Sequence, residues 1–416
     1  MRTAPTESRP LRISMVAEQA NPLAREGLGP LWSRSTHVAE LSAALARAGH
    51  DVTVFTRRDR DDAPERQTTA DGYDVVNVPV GPPEPIPPGE ALPLMGEFGG
   101  FLENMWELDR PDLVHAHYWM SGIATQLATK LLGIPSVQTF HTLGAMERRF
   151  ARPDRAANDR IRLEQLIARG ATRVLATCTD EVFELSHQGL PRTRTSIVPA
   201  GVDVTRFAPD GPRELDGALA SKDAQHRLVA AGTIVPSRGF ETAIEAMKWL
   251  PDAELVIAGA APDDKNLARL KSAAKRYRVT GRVRFVERVP HTDMPALLRS
   301  ADAVVCTPWF EPTATLALEA HACGTPVVAA AVGALRETVA DGVTGRLVPP
   351  RNARKLADAV RTLLGDEETL ADYSVAARKR ATTRYSWDRI AEDAVKAYSR
   401  CVSAPPKQQL RHAMAE

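Results

Sequence analysis

The chain has 416 residues, 53 Lys and Arg against 52 Asp and Glu, and a formal net charge of +1. Roughly 100–200 residues per domain gives about two or three domains. The balanced charge supplies no excess positive field to draw in nucleic acid or an anionic membrane. At 44% hydrophobic and 25% charged residues, the composition excludes wholesale disorder. The four cysteines, Cys178, Cys306, Cys323 and Cys401, form no CxxC pair, so they read as reduced core thiols rather than a zinc site or disulfide framework. The opening MRTAPTESRP is polar and lacks the apolar region of a signal peptide. No apolar run of about 18 residues occurs, so a cytoplasmic protein is expected.

Apolar runs then alternate with helical patterns. Leu11–Glu18, Asp51–Phe55, Tyr73–Val80, Asp112–Tyr118, Ser136–Thr142 and Thr172–Cys178 read as strands, and His37–Ala48 as a helix stopped by Gly49. Continuous Val/Ile/Leu runs are the mark of buried parallel strands. A polar stretch, Asp210–Gln225, precedes a second series: His226–Ile234, Ala253–Ala260, Val283–Val289, Ala301–Thr307 and Val327–Ala331. The fold class predicted is α/β, two consecutive Rossmann-like doubly wound domains, at 11–209 and 226–385, with a helix over 386–402 packing back and a flexible tail at 403–416. The proline-rich Val80–Pro93 reads as a rigid surface loop near the cleft. Ligands of such sheets sit beyond the strands' carboxyl ends, so the strand-to-helix loops are where the chemistry is sought.

The most informative segment is Thr307–Val328, TPWFEPTATLALEAHACGTPVV. Pro312 suits a helix N-terminus, which puts Glu311 just outside a helix and Glu319 two turns in, roughly 12 Å apart along the axis at 1.5 Å per residue. A hydrolytic carboxylate pair needs about 5–9.5 Å, so the two should have separate jobs. The amides of Thr313, Ala314 and Thr315 would form an anion site at the helix start. A solvated acidic helix start is the plain alternative.

This segment resembles the E-x7-E signature of retaining glycosyltransferases of family four, which have the GT-B fold of two facing Rossmann-like domains. The resemblance spans about residues 11–400: Asp112–Gly122 and Thr139–Gly144 are similar to sucrose-phosphate synthases and to the inositol-phosphate glycosyltransferases of mycothiol assembly, Val198–Phe207 to the family's run into the second domain, and Ala301–Pro308 and Gly324–Val328 to its C-terminal strands. It implies that Glu311 holds the donor sugar's hydroxyls, Glu319 the ribose diol, and the intervening amides sugar and phosphate. His141 lies where the family has a histidine contacting the donor hexose, and Arg238, before Gly239, where it has a diphosphate-binding Lys. Tyr118, Trp119 and Thr142 fall on the acceptor side. The resemblance implies no metal and no cofactor other than the nucleoside-diphosphate sugar (UDP or GDP) as co-substrate, a small soluble acceptor, and a monomer or homodimer.

Departures are visible. The family's Gly-Arg before the Lys reads Gly232-Thr233, its Phe-Gly after Glu-x reads Thr313-Ala314, its Gly-Gly after the following strand reads Gly333-Ala334, and its paired glycines at the first helix are replaced around Ser33-Arg34. Two readings of Arg34 stand: it brings the missing diphosphate cation from across the cleft, or it is a solvated loop residue. The Lys that inositol-phosphate enzymes carry within Ile86–Glu90 is absent, which weakens the expectation of a phosphorylated acceptor. Asp59-Arg60-Asp61 has the D-x-D form but sits in a charged run, RRDRDD, and reads as a solvated loop. His115 and His117 lack an evident third ligand, so they are not read as a metal pair. A nucleotide-sugar 2-epimerase of the same fold and a non-catalytic two-lobed sugar-binding protein remain the alternatives to transfer.

Overall fold

The computed structural model describes residues 9–24, 30–87, 90–150, 155–213, 224–259, 264–286 and 289–402. The tail at 403–416, most of the polar joint at 214–223, and Pro88 and Gly89 of the proline-rich loop lie outside the described residues. The first eight strands are β1 (Arg12–Val16), β2 (Asp51–Arg57), β3 (Arg66–Thr68), β4 (Asp74–Val78), β5 (Leu113–His117), β6 (Ser136–Thr139), β7 (Arg173–Ala176) and β8 (Thr195–Ile197). They form one sheet in the order β3-β4-β2-β1-β5-β6-β7-β8, parallel throughout except at the antiparallel β3–β4 edge. A second sheet holds β9 (His226–Ala231), β10 (Ala253–Ala258), β11 (Val283–Val286), β12 (Ala303–Cys306), β13 (Val327–Ala330) and β14 (Gly345–Val348), in the order β11-β10-β9-β12-β13-β14.

Among the parallel strands of each sheet the chain order reverses once, between β1 and β5 in the first and between β9 and β12 in the second. The loops leaving these neighbouring strands diverge to opposite faces, and the crevice between them is where a doubly wound sheet takes its ligand. Residues after β1 and β5, and after β9 and β12, are placed there by topology alone.

The predicted strands are all present, shortened where the apolar runs pass into strand-end loops, except β2, which runs two residues further than predicted, to Arg57. Three short strands, β3, β8 and β14, and the long helix Pro30–Arg47 extend beyond the sequence reading. That helix starts seven residues before His37: Pro30 lacks the N–H that a first helical position leaves unpaired, while Ser33-Arg34-Ser35 interrupts the apolar periodicity that would have revealed it.

The chain crosses between the sheets twice, and the crossings touch: the Val202 amide donates to the Tyr385 carbonyl at 2.8 Å. The last described helix, Trp387–Val402, then packs on the first sheet's side. Trp387, Ile390, Ala391, Ala394, Ala397, Tyr398 and Cys401 are its buried residues, a stripe at helical spacing, and they share one core with Leu11, Ile13, Met15 and Leu41. Trp387 meets the edge of His37 at 5.1 Å between ring centroids. Trp387→Ala is expected to destabilise the protein by about 3–5 kcal/mol, the range for a buried large aromatic, measured by urea denaturation. A loss under about 1 kcal/mol would show that the helix docks without it.

All four cysteines are buried and unpaired. No helix among the described residues is long and apolar enough to cross a membrane.

Candidate active site

The loop after β9 runs Gly232-Thr233 and reaches Arg238 in a short turn, Pro236–Arg238, that ends at Gly239. Gly239 has φ +67°, and a Cβ there would lie 1.9 Å from the Thr307 carbonyl oxygen. Only glycine permits this approach, and it brings the β9 loop against the end of β12. Trp309 N donates back to the Ser237 carbonyl at 2.8 Å. A pocket at this point is lined by Arg238, Thr307, Pro308, Glu311, Ala314 and Leu335, among others.

Glu311 is 7% exposed. The Arg238 guanidinium donates to its Oε2, and the amides of Thr313 and Ala314 donate to its Oε1 at 3.3 Å each. One carboxylate thus binds both the cation and the amides expected to hold a diphosphate and sugar. This corrects the expected local geometry. The helix begins at Thr315, not at Pro312, and Ala314 caps it with φ +55°. A left-handed residue cannot continue from Pro312 into a right-handed helix, so the chain turns once more, and that turn folds the two amides onto Glu311. The Thr313 and Thr315 hydroxyls lie 3.2 Å apart beside it.

Glu319 lies inside this helix, 9% exposed, with Oε1 at 3.2 Å from His291 Nε2. The other ring nitrogen of His291 lies 3.0 Å from an Arg206 guanidinium nitrogen. The two glutamates therefore have separate partners, as their spacing predicts. His291 lies in no motif, and Arg206, though inside the Val198–Phe207 segment, was given no role by the sequence reading.

On the first sheet, His141 follows β6 with φ +62°, a strained conformation for a residue with a side chain, of the kind that gathers at functional sites. Its loop is pinned from below. Arg160 donates to the Thr142 carbonyl at 3.0 Å and to Glu164 at 2.7 Å, and Glu164 accepts from the Gly144 amide at 2.8 Å. Burial pushes the Glu164 carboxyl up to about 7, against the pull of Arg160.

His141 Nε2 lies 3.1 Å from His117 Nδ1, and its ring meets the edge of His37 at 4.9 Å. His115 joins through Tyr398 at 2.8 Å and Thr139 at 2.9 Å. Sequence spacing showed only the His115 and His117 pair; the fold adds His37 and His141. The cluster forms no group arranged to hold a metal among the described residues. Burial keeps all four rings neutral, with His37 pushed down to about 4, His115 to about 3, and His117 and His141 well below the ordinary imidazole value.

Arg34 places its guanidinium 3.8 Å above the Tyr118 ring, with Arg160 at 5.3 Å from the same ring. Its observed partner thus belongs to the first sheet's side. Tyr118 has φ +74° and opens the helix Trp119–Leu132, where Trp119 is buried.

The first sheet's crevice also holds Glu18, directly beyond β1 and 2% exposed. Ser121 donates to its Oε2, and burial raises its carboxyl to about 7. Its Oε1 and both polar atoms of Gln19 are buried without a hydrogen-bond partner. The signal was a carboxylate closing an apolar strand run, MVAE. Nearby, Arg57 is 4% exposed and donates to the carbonyls of Pro82 at 2.6 Å and Glu84 at 2.5 Å, tying down the proline-rich loop. Asp59 accepts from Asn21 at 3.2 Å, while Asp61 and Asp62 are exposed.

The two halves meet across the cleft. Asp180 Oδ2 accepts from the Gly333 amide at 3.0 Å, and Glu337 Oε1 from the Thr179 amide at 2.6 Å. Trp309 lies 6.1 Å from Phe150, and Phe310 packs on the first sheet's core.

Comparison with known proteins shows the family and the fold. Residues 35–206 match Glycosyltransferase Family 4, and residues 213–380 match Glycosyl transferases group 1. The D-inositol 3-phosphate glycosyltransferase of Mycobacterium bovis is 31% identical over 94% of this chain and 84% of its own length. Sucrose-phosphate synthase from Thermosynechococcus elongatus superposes with a TM-score of 0.83 at 26% identity, covering 95% of this chain and 100% of that one. The catalytic domain of starch synthase IV from Arabidopsis thaliana, bound to ADP and acarbose, shares the fold with a TM-score of 0.74 at 16% identity over 95% of this chain and 100% of that one. The architecture is GT-B.

Proposed function

Because the chain belongs to the group 1 and family 4 glycosyltransferases, we propose that it moves a sugar from a nucleoside-diphosphate sugar, UDP- or GDP-linked, to a small soluble acceptor, with retention at the anomeric carbon and without a metal. The setting is specialised-metabolite or small-molecule glycoside biosynthesis. The observation that carries this reading is Glu311 at the second sheet's crevice, buried, bound to Arg238 and to the Thr313 and Ala314 amides, eight residues before Glu319.

In this reading the second domain holds the donor. Glu311 accepts from sugar hydroxyls and Glu319 from the ribose diol; Arg238 and the amides of Thr313 and Ala314, which Glu311 holds in the unliganded protein, turn with the Thr315 amide to offset the charge of the departing diphosphate once the sugar engages that carboxylate. Gly232 and Thr233 bring the backbone of the β9 loop beside the diphosphate, and Gly239 holds that loop against Thr307. Arg34 adds a second cation from the opposite side. Tyr118, Trp119 and Thr142 face the acceptor, and His141 hydrogen-bonds the transferring hexose. The acceptor oxygen bonds to the anomeric carbon on the face the phosphate leaves, the carbon–phosphate-oxygen bond breaks, and the departing phosphate takes the acceptor's proton. No carboxylate acts as a nucleophile.

A thermal-shift screen of UDP-, GDP-, ADP- and dTDP-sugars tests this first. Binding to the native state adds about 2.7 kcal/mol of apparent stability at a hundredfold excess over Kd. The stabilising donor should release nucleoside diphosphate only when acceptor is added, and it should do so in excess EDTA. Complete loss of turnover on chelation, restored by magnesium or manganese, would overturn the metal-free mechanism and bring Asp59 and Asp61 into it.

A further inference from the structure

His117 stands behind His141 and touches no surface: it is 1% exposed. Its Nδ1 lies 3.1 Å from His141 Nε2, and its Nε2 is buried with no hydrogen-bond partner among the described residues. Both rings are neutral, held so by burial and by the neighbouring His37, His115 and Arg34. A neutral imidazole carries one proton, so the bond between the rings has two possible senses. If His141 donates from Nε2, the proton of His117 sits on its own Nε2, an orphaned N–H inside the protein. If His117 donates from Nδ1, its Nε2 is a bare lone pair. Orphaned buried N–H groups are the rarer of the two, so the second sense is favoured.

We propose that His117 is a positioning residue that sets the tautomer of His141. It donates from Nδ1 to His141 Nε2, which places the His141 proton on Nδ1 and makes that nitrogen the one that can donate to a sugar hydroxyl. The rest of the cluster holds His117 in place: His115 packs on it at 4.1 Å between centroids and is itself tied to Tyr398 and Thr139. Tyr398 comes from the helix that returns from the second domain, so the orientation of the catalytic imidazole is anchored in the domain junction. An uncharged donor suits a sugar hydroxyl, which a cationic imidazole would meet in competition with the diphosphate.

The proposal rests on His141 contacting the donor sugar, and its test separates the two. Protein labelled with nitrogen-15 at its histidines gives the tautomer of His141 directly, the resonance being assigned by its loss in His141→Asn. The expected result is a protonated, pyrrole-type Nδ1 in the full-length unliganded protein. A protonated Nε2 would overturn the proposal, whatever the activity. His117→Asn retains a donor near the original Nδ1 and should keep the His141 tautomer. His117→Leu should move the proton of His141 to Nε2 or spread it over both nitrogens, and lower kcat at least tenfold more than His117→Asn does while the donor KM changes less than threefold. Equal loss in both variants with an unchanged tautomer would leave His117 a packing residue. Absence of transfer by the unmodified protein with every donor would instead defeat the functional reading and leave the tautomer result standing.

Discussion

Glu311→Ala is expected to lower kcat by two orders of magnitude or more, whereas Glu319→Ala raises the donor KM and leaves kcat closer to that of the unmodified protein. Glu311 gathers one guanidinium and two amides, and a hydrogen bond to a charged group contributes about 1.5–3 kcal/mol. At 1.36 kcal/mol per tenfold, losing even one such contact to the reacting sugar accounts for a factor of about ten to a hundred. Losing the turn that the carboxylate ties together adds to it. Stability should suffer less than activity. The Arg238 side chain is 39% exposed, so the cation left behind can reach water. Glu319 differs because its partner is His291, beside Arg206 and away from the amide turn, and its loss is felt by the nucleotide rather than the reacting ring. Steady-state kinetics on both variants, with nucleoside-diphosphate affinity measured separately, checks the division. Equal and small effects of the two substitutions would remove the assignment of either.

Much of the fold was legible because buried parallel strands advertise themselves. MVAE, DVTVF, DLVHAH and VVAA are runs that a solvent-facing strand would break with polar residues. β3 and β8 were not legible because three residues such as RQT or TSI carry no such run, and their pairing partners decide their conformation. Sheet order was beyond a one-dimensional pattern, and with it the crevice positions. Glu18 is notable only because β1 lies beside β5, and His117 only because β5 lies beside β6. The Glu311 turn shows the limit of local reasoning most clearly. Proline at a helix start is a sound rule, but the left-handed Ala314 between Pro312 and the helix is a choice made by the carboxylate that the turn encloses. The four-histidine cluster was half visible: two members share a strand, while the others arrive from a helix and a loop 24 residues or more away in sequence.

Gly333→Ala should nearly abolish transfer. Gly333 follows β13 with φ +49°, and an added Cβ would lie 2.1 Å from the Glu311 carbonyl oxygen. The contact is backbone against backbone, so no side chain can swing aside. The left-handed conformation alone costs a residue with a Cβ roughly 1–2 kcal/mol, and the overlap must be relieved by moving the Glu311 peptide. That peptide is held by the Ala334 amide, which donates to the Glu311 carbonyl at 2.8 Å. It also meets the domain junction, because the Gly333 amide is the donor to Asp180 across the cleft. One methyl group therefore displaces the Glu311 carboxylate and loosens an interdomain bond together, and a fall in turnover of more than a hundredfold is expected alongside the loss of stability. Gly342 provides the control. It has φ +75°, but the nearest atom to an added Cβ is the Tyr373 hydroxyl at 4.0 Å, so Gly342→Ala carries the backbone strain without the collision. It should cost about 1–2 kcal/mol on unfolding and leave transfer intact. Matching stability losses with matching turnover in the two variants would show that the close approach of Gly333 does not position Glu311.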